Sequence, residues 1–117
     1  MRPTTTFSRG DVVLVNFLFS EETGAKRRPA VLISSNSYQR GRREVIAAAV
    51  TSNTGRILAG DSLLTDWQEA GLLFPSIATG VIRTIKQGMI TRTLGSLSYR
   101  DMDAVDQRLK LILDLER

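Results

Sequence analysis

The apolar residues of this 117-residue chain come in short runs rich in Val, Ile and Phe, each cut off by glycine, proline or a polar cluster. Val12 to Phe19, Pro29 to Ser34, Glu44 to Thr51, Ile77 to Ile85 and Met89 to Leu94 are each too short for a typical helix. Their β-branched and aromatic content favours strands. Gly10-Asp11 is a turn before the first strand, and Ser20 to Ala25, with Gly24, reads as an exposed loop after it. Pro29 belongs at the start of the second strand or on an edge, where a missing amide proton does least harm. Asn53-Thr54-Gly55 is a turn signal, followed by a short strand near Ser62-Leu63-Leu64. Lys86-Gln87-Gly88 reads as a hairpin connection between the last two long strands.

Two segments read differently. Thr65 to Leu72 is predicted as a single helical turn, capped by Thr65 and ended by Gly71, with Trp67 as a packing residue. From Ser98 onward, Met102, Val105, Leu109 and Ile112 recur at helical spacing, with Leu113 beside them. Ser98 followed by Asp101 resembles a capping box, and Asp101 and Asp103 sit near the positive end of the helix. The expectation is a mainly β fold in one domain, residues 1–117: a small antiparallel barrel with a short helix and a C-terminal amphipathic helix.

Composition narrows the chemistry. The chain has no cysteine and no histidine. Disulfides, thiolate or imidazole metal sites, Ser-His-Asp or Cys-His catalysis and histidine-pair ribonuclease chemistry are therefore excluded. The net charge of +4 is uneven: residues 1–97 carry twelve basic and seven acidic side chains, whereas residues 98–117 carry four and five. Any basic surface belongs to the first four-fifths, and it points to an anionic partner. The start, Met1 to Thr6, lacks the apolar stretch of a secretory signal, and no segment approaches the roughly 18 apolar residues of a bilayer span. A soluble cytoplasmic protein without a membrane role is expected.

The order of motifs adds to this. Gly10-Asp11-Val12-Val13-Leu14-Val15-Asn16-Phe17, Lys26-Arg27-Arg28-Pro29-Ala30-Val31-Leu32-Ile33-Ser34, Ala49-Val50-Thr51-Ser52, Ile82-Arg83-Thr84-Ile85 and Leu94-Gly95-Ser96-Leu97-Ser98 follow one another. The set resembles the PemK/MazF family of toxin endoribonucleases, from about residue 8 to the end. The resemblance implies an SH3-like barrel, also shared by CcdB toxins, that forms a homodimer. It implies sequence-specific cleavage of single-stranded mRNA without metal or other cofactor, and neutralisation by an acidic antitoxin. Carried over by motif, the catalytic candidates are Arg28 and Thr51, with Ser52 adjacent. Glu22, or Glu21 beside it, is the nearest match to a glutamate in the loop before the second strand. Lys86 departs from the pattern, since relatives often place an acidic residue there.

The chemistry suits these residue types. RNA supplies its own nucleophile, the 2′-hydroxyl, so no serine or cysteine nucleophile is required. A guanidinium is a rigid fork of donors matched to phosphate, which fits Arg28 to stabilise the developing charge. At a pKa above about 12 it is neutral in roughly one molecule in 10⁵ at pH 7, a poor free base. Glu22 or water is left to accept the 2′-proton. Lys26, Arg27, Arg83 and Lys86 are candidate phosphate contacts, and Tyr38 is a candidate stacking partner. Two alternatives remain at this point: a non-catalytic basic barrel that holds nucleic acid or protein, and a gyrase-directed toxin of the CcdB type.

Overall fold

The computed structural model describes residues 6–18 and 25–115. In chain order these form β1 (Asp11–Leu18), β2 (Ala25–Leu32), α1 (Asn36–Arg40), β3 (Glu44–Thr51), β4 (Ser62–Leu63), β5 (Ile77–Lys86), β6 (Ile90–Ser96) and α2 (Tyr99–Leu113). The strands make one antiparallel sheet in the order β4-β5-β3-β2-β1-β6. The expected small barrel is thus a curled sheet that is not closed. Register shifts bend it, two on the β1–β6 ladder and one between Ala48 and Val50 on the β3–β5 ladder; such bulges kink a strand and increase its twist.

The curl explains the unbroken apolar runs. Alternate residues of the same strands enter two different cores: Val12, Val31 and Val50 pack with Val105 and Leu109 of α2. Val13, Val15, Ala30, Leu32, Val45, Ala47 and Ile85 pack on the other face under Phe7, Phe17, Met89 and Ile90. A strand covered on both faces loses the polar alternation of a half-exposed one. Trp67 packs against the helix-side core, as expected.

Three expectations need correction. Lys86-Gln87-Gly88 does not make a hairpin, because β5 and β6 are not neighbours: β3, β2 and β1 lie between them in the sheet. A 3-10 turn at Gln87–Met89 redirects the chain: the Gln87 amide donates to the carbonyls of Gln39 and Arg42, and its backbone N–H to that of Arg43. β6 then takes the free edge of β1, where Ile90 and Leu94 serve one core each. The short helix is α1, in the polar stretch after β2, where Ser35 caps by accepting from the Tyr38 N–H. Residues 65–72 instead form a turn ended by Gly71, with Leu72 N–H to Trp67 O and Gly71 N–H to Gln68 O. That paired pattern is a Schellman motif without a full helix before it.

Pro29 lies in the middle of β2, four residues past its first. Ile33 N–H donates to Ile46 O, so the odd-numbered residues of β2 turn their backbone groups toward β3. The β2–β3 ladder pairs Ala30 with Ala49 and stops there. Pro29 is therefore at a local edge, with no N–H to offer on the side where β3 departs. The loop expected at Ser20 to Ala25 lies outside the described residues but for Ala25, which begins β2.

On α2, Ser98 caps the helix as expected, accepting from the Asp101 N–H. Val105 and Leu109 are buried, whereas Ile112 and Leu113 are 37% and 53% exposed. Among the described residues no helix is long and apolar enough to cross a membrane.

Candidate active site

The end of the β2–β3 ladder creates a fork. Beyond Ala30 and Ala49, β2 stays with β1 while β3 parts from β2 and continues on β5 alone, Val50 opposite Ala78 and Thr51 opposite Ile77. The departing strand is pinned at its bulge by Thr79, whose hydroxyl donates to Ala49 O at 2.7 Å and accepts from Val81 N–H. One prong carries Arg28-Pro29, and the other carries Val50-Thr51-Ser52.

Thr51 is half-buried, and its hydroxyl accepts from the Asn53 N–H at 3.1 Å. With its acceptor side engaged, its proton is free to be donated to a ligand. Arg28 and Ser52 are exposed. Arg92, on β6, is paired in register with Leu14, whose other neighbour is Pro29. Neither arginine has an ion-pair partner among the described residues.

A fourth wall comes from the strap between β4 and β5. Its anchor is Asp101, a buried carboxylate at the first turn of α2, which accepts from Thr65 N–H at 2.9 Å and Asp66 N–H at 2.7 Å. This replaces two expectations: Asp101 does not return a capping-box bond to Ser98, and Thr65 is a donor to the helix rather than a cap. Asp66 adds a second clamp, receiving both Nε and Nη2 of Arg100 at 2.8 Å and the Ser98 hydroxyl at 2.6 Å. The Arg100 bond first, then Ser98, holds its carboxyl down at about 2. The strap then crosses β6 closely. Gly71 has φ +85°, and a Cβ there would lie 2.1 Å from Leu94 O; only glycine fits. Past this crossing come buried Leu72 and exposed Leu73 and Phe74, with the Ser76 hydroxyl fixing the Phe74 carbonyl at 2.7 Å.

Together these elements enclose a groove of about 550 Å³ lined by Leu14, Arg28, Pro29, Thr51, Ser52 and Arg92 among others, with Leu72 to Phe74 on the strap side. Its described lining contains two guanidiniums, three hydroxyl side chains and no carboxylate. Such a site offers positive charge and hydrogen-bond donors to an anion, beside an apolar wall.

Three of the sequence candidates, Arg28, Thr51 and Ser52, thus meet in one groove. Glu22, and Glu21 beside it, lie outside the described residues. Lys26 and Arg27 precede Arg28 on β2, opposite Phe17 and Asn16, and do not line the groove. Arg83 stacks on the Phe17 ring at 5.1 Å, which places it with the second core. Lys86 pairs with Glu44 in register, at the opposite end of β3 from Thr51, about 23 Å away at roughly 3.3 Å per residue. Tyr38 lies under the Arg42 guanidinium at 4.6 Å. Arg42 also bonds Glu44, raising its own pKa and lowering that of the carboxyl. Sequence reasoning counted Arg92 as basic without placing it in the site, and missed Leu72 to Phe74. The available signals were Arg92 between two threonines in a strand, and three large apolar residues stranded between a glycine turn and Pro75.

A curled antiparallel sheet backed by a C-terminal helix, with a cationic and hydroxyl-lined groove at a strand fork, defines the class of small β protein to which this chain conforms. Residues 8–113 match the family described as PemK-like, MazF-like toxin of type II toxin-antitoxin system, and the chain belongs to that family. Among solved structures it is similar to a mycobacterial endoribonuclease in complex with its cognate antitoxin, at 20% identity and TM-score 0.75 over 96% of this chain and 99% of that one. It is also similar to MazE-MazF from Deinococcus radiodurans, at 17% identity and TM-score 0.81 over 97% and 100%. A third is the Mycobacterium tuberculosis toxin MazF-mt6, at 20% identity and TM-score 0.73 over 92% and 99%. No significant match was found among curated proteins.

Proposed function

We propose that this toxin is a sequence-specific, metal-independent endoribonuclease that cleaves single-stranded mRNA. The observation that carries the reading is the meeting of Arg28, Thr51 and Ser52 at the β2–β3 fork, in a groove whose described lining holds no opposing carboxylate. The 2′-oxygen attacks the adjacent phosphorus, its proton leaves to a base, and the P–O5′ bond breaks as the 5′-oxygen takes up a proton. The products are a 2′,3′-cyclic phosphate and a 5′-hydroxyl. Arg28 binds the phosphoryl oxygens and stabilises the extra negative charge of the pentacoordinate state, and Thr51 adds a hydroxyl donor with Ser52 beside it. The proton acceptor is assigned to Glu22 on the family resemblance alone; a Glu22→Gln protein with an unchanged single-turnover rate across pH eliminates it. Lys26, Arg27, Tyr38, Arg83 and Lys86, being outside the groove, are assigned at most to flanking RNA.

The same reading gives the protein a cytoplasmic location, a homodimeric state and an acidic antitoxin partner, for which a basic surface supplies electrostatic steering. The test is cleavage of a long RNA in EDTA by the parent and by Arg28→Ala, with the ends mapped. Discrete cuts bearing cyclic phosphate, lost in the variant, support the reading. Undiminished cutting by Arg28→Ala, or binding without any cutting by the parent, overturns it.

A further inference from the structure

We infer that Phe74, with Leu73 beside it, is a stacking platform for an RNA base next to the scissile phosphate, and that Arg92 holds a neighbouring phosphate. The inference rests on the ribonuclease reading and extends it to substrate specificity. Phe74 is 62% exposed and Leu73 82% exposed, unusual for large apolar side chains on a segment so well fixed. The strap that carries them is anchored at Asp101, clamped through Asp66 to Arg100, and pressed onto β6 at Gly71. The Ser76 hydroxyl and the Leu64 N–H to Ser76 O bond at 3.0 Å then set the backbone that follows. The ring is thus presented by a rigid support, as a platform for a ligand must be.

Its surroundings select the ligand. The ring shares one groove with Arg28, Arg92, Thr51 and Ser52, and no carboxylate is among the described lining residues. A polyanion with flat apolar faces satisfies both halves of that surface: phosphates meet the guanidiniums, and a base covers the ring. Stacking of this kind is worth about 1–3 kcal/mol per base by alanine substitution, and it is how single-stranded nucleic acid is usually held. An acidic peptide is served by the cations but leaves the ring less fully covered.

The experiment begins with the cut site mapped on a long RNA by the parent protein. An oligonucleotide spanning that site is made with 2′-O-methyl at the cleaved nucleotide, so that it binds uncut, and with 2-aminopurine at each flanking position in turn. Affinity is read by fluorescence anisotropy over a salt series. Phe74→Ala is expected to weaken binding about tenfold, equivalent to about 1.4 kcal/mol, and to abolish the 2-aminopurine quench at one position. Phe74→Tyr, which keeps the ring, restores both. Arg92→Gln weakens binding and lowers the salt slope by about one. Tyr99→Ala removes an aromatic that is 90% exposed but lies outside the groove lining, and leaves affinity unchanged.

A Phe74→Ala protein that binds and quenches like the parent overturns the platform while the cutting reading stands. So does a variant whose self-association or antitoxin binding changes at constant RNA affinity, which assigns the ring to a protein interface. Loss of affinity in Phe74→Tyr equal to that in Phe74→Ala likewise refutes stacking. A parent protein that neither cuts nor binds RNA overturns both proposals together. Thermal unfolding confirms that each variant is folded, and Leu73→Ala provides a second, milder truncation of the same surface.

Discussion

Asp101 gives the sharpest stability test, because one buried carboxylate holds two backbone amides of another segment. It is 3% exposed and accepts Thr65 N–H and Asp66 N–H at 2.9 and 2.7 Å. Hydrogen bonds to charged groups contribute about 1.5–3 kcal/mol each. Thr65 is exposed and Asp66 half-buried, so water recovers part of the loss when the side chain is cut back. Asp101→Ala is therefore expected to cost about 3–4 kcal/mol. For a chain of this length the unfolding entropy makes each kcal/mol worth about 4 °C, so the midpoint should fall by roughly 12–16 °C. Asp101→Asn keeps one acceptor oxygen but turns an NH₂ toward an amide, and should lose at least half as much. Differential scanning calorimetry gives the midpoint, and urea titration with an unchanged m-value shows that the folded state is still reached. A second readout is local: limited proteolysis should open within residues 65–76 before the rest of the domain. A shift below about 3 °C, or cleavage starting elsewhere, refutes the claim that Asp101 anchors the strap.

The Asp66 carboxyl is held at about 2, against about 3.9 in an unfolded chain. Its stabilisation is therefore complete above about pH 4 and lost as pH falls toward 2. Asp66→Asn should remove that slope from the unfolding midpoint measured between pH 2 and 5, and parallel curves for the two proteins would refute it. Gly71→Ala must place a Cβ 2.1 Å from Leu94 O at φ +85°, and should cost about 2–4 kcal/mol in a urea titration. A loss under about 0.5 kcal/mol would mean that the strap is not pressed onto β6. Thr79→Val deletes the hydroxyl that holds Ala49 O and should cost about 1–2 kcal/mol, with Thr79→Ser close to the parent; a Val variant as stable as the parent beside a destabilised Ser variant would assign the effect to methyl packing.

The strands were legible because their residue types carry a local preference, and β3 is observed where its run of Val, Ile and Ala predicted it. Ser98 was legible for a similar reason, since a cap acts within three residues. The partners of the strands were not. Whether β6 turns back on β5 or crosses to β1 depends on Gln87 reaching carbonyls of Gln39 and Arg42, more than forty positions earlier. The short helix was misplaced because Ser35 to Arg43 has no apolar stripe, and Gln39 is buried there by polar bonds to Ser34 and Phe7 O. At the candidate site, Arg28 and Thr51, which line one groove, were singled out through motif order, which no local rule contains. Phe74 and Arg92 join them only through the strap and the β1–β6 ladder, contacts between segments that give no periodic signal.

The proline in β2 has one more effect. Annealing of two strands proceeds bond by bond, and Pro29 is the tooth that cannot engage: its ring nitrogen has nothing to give to whatever lies alongside it. The slot between the prongs is therefore not a stretch of sheet waiting to zip shut, either by β3 creeping back or by an extended peptide laid in as an extra strand. An occupant held there relies on the side chains of the two prongs rather than on a continuous backbone ladder. One imino acid thus helps to keep the opening in place and leaves the grip to the side chains around it.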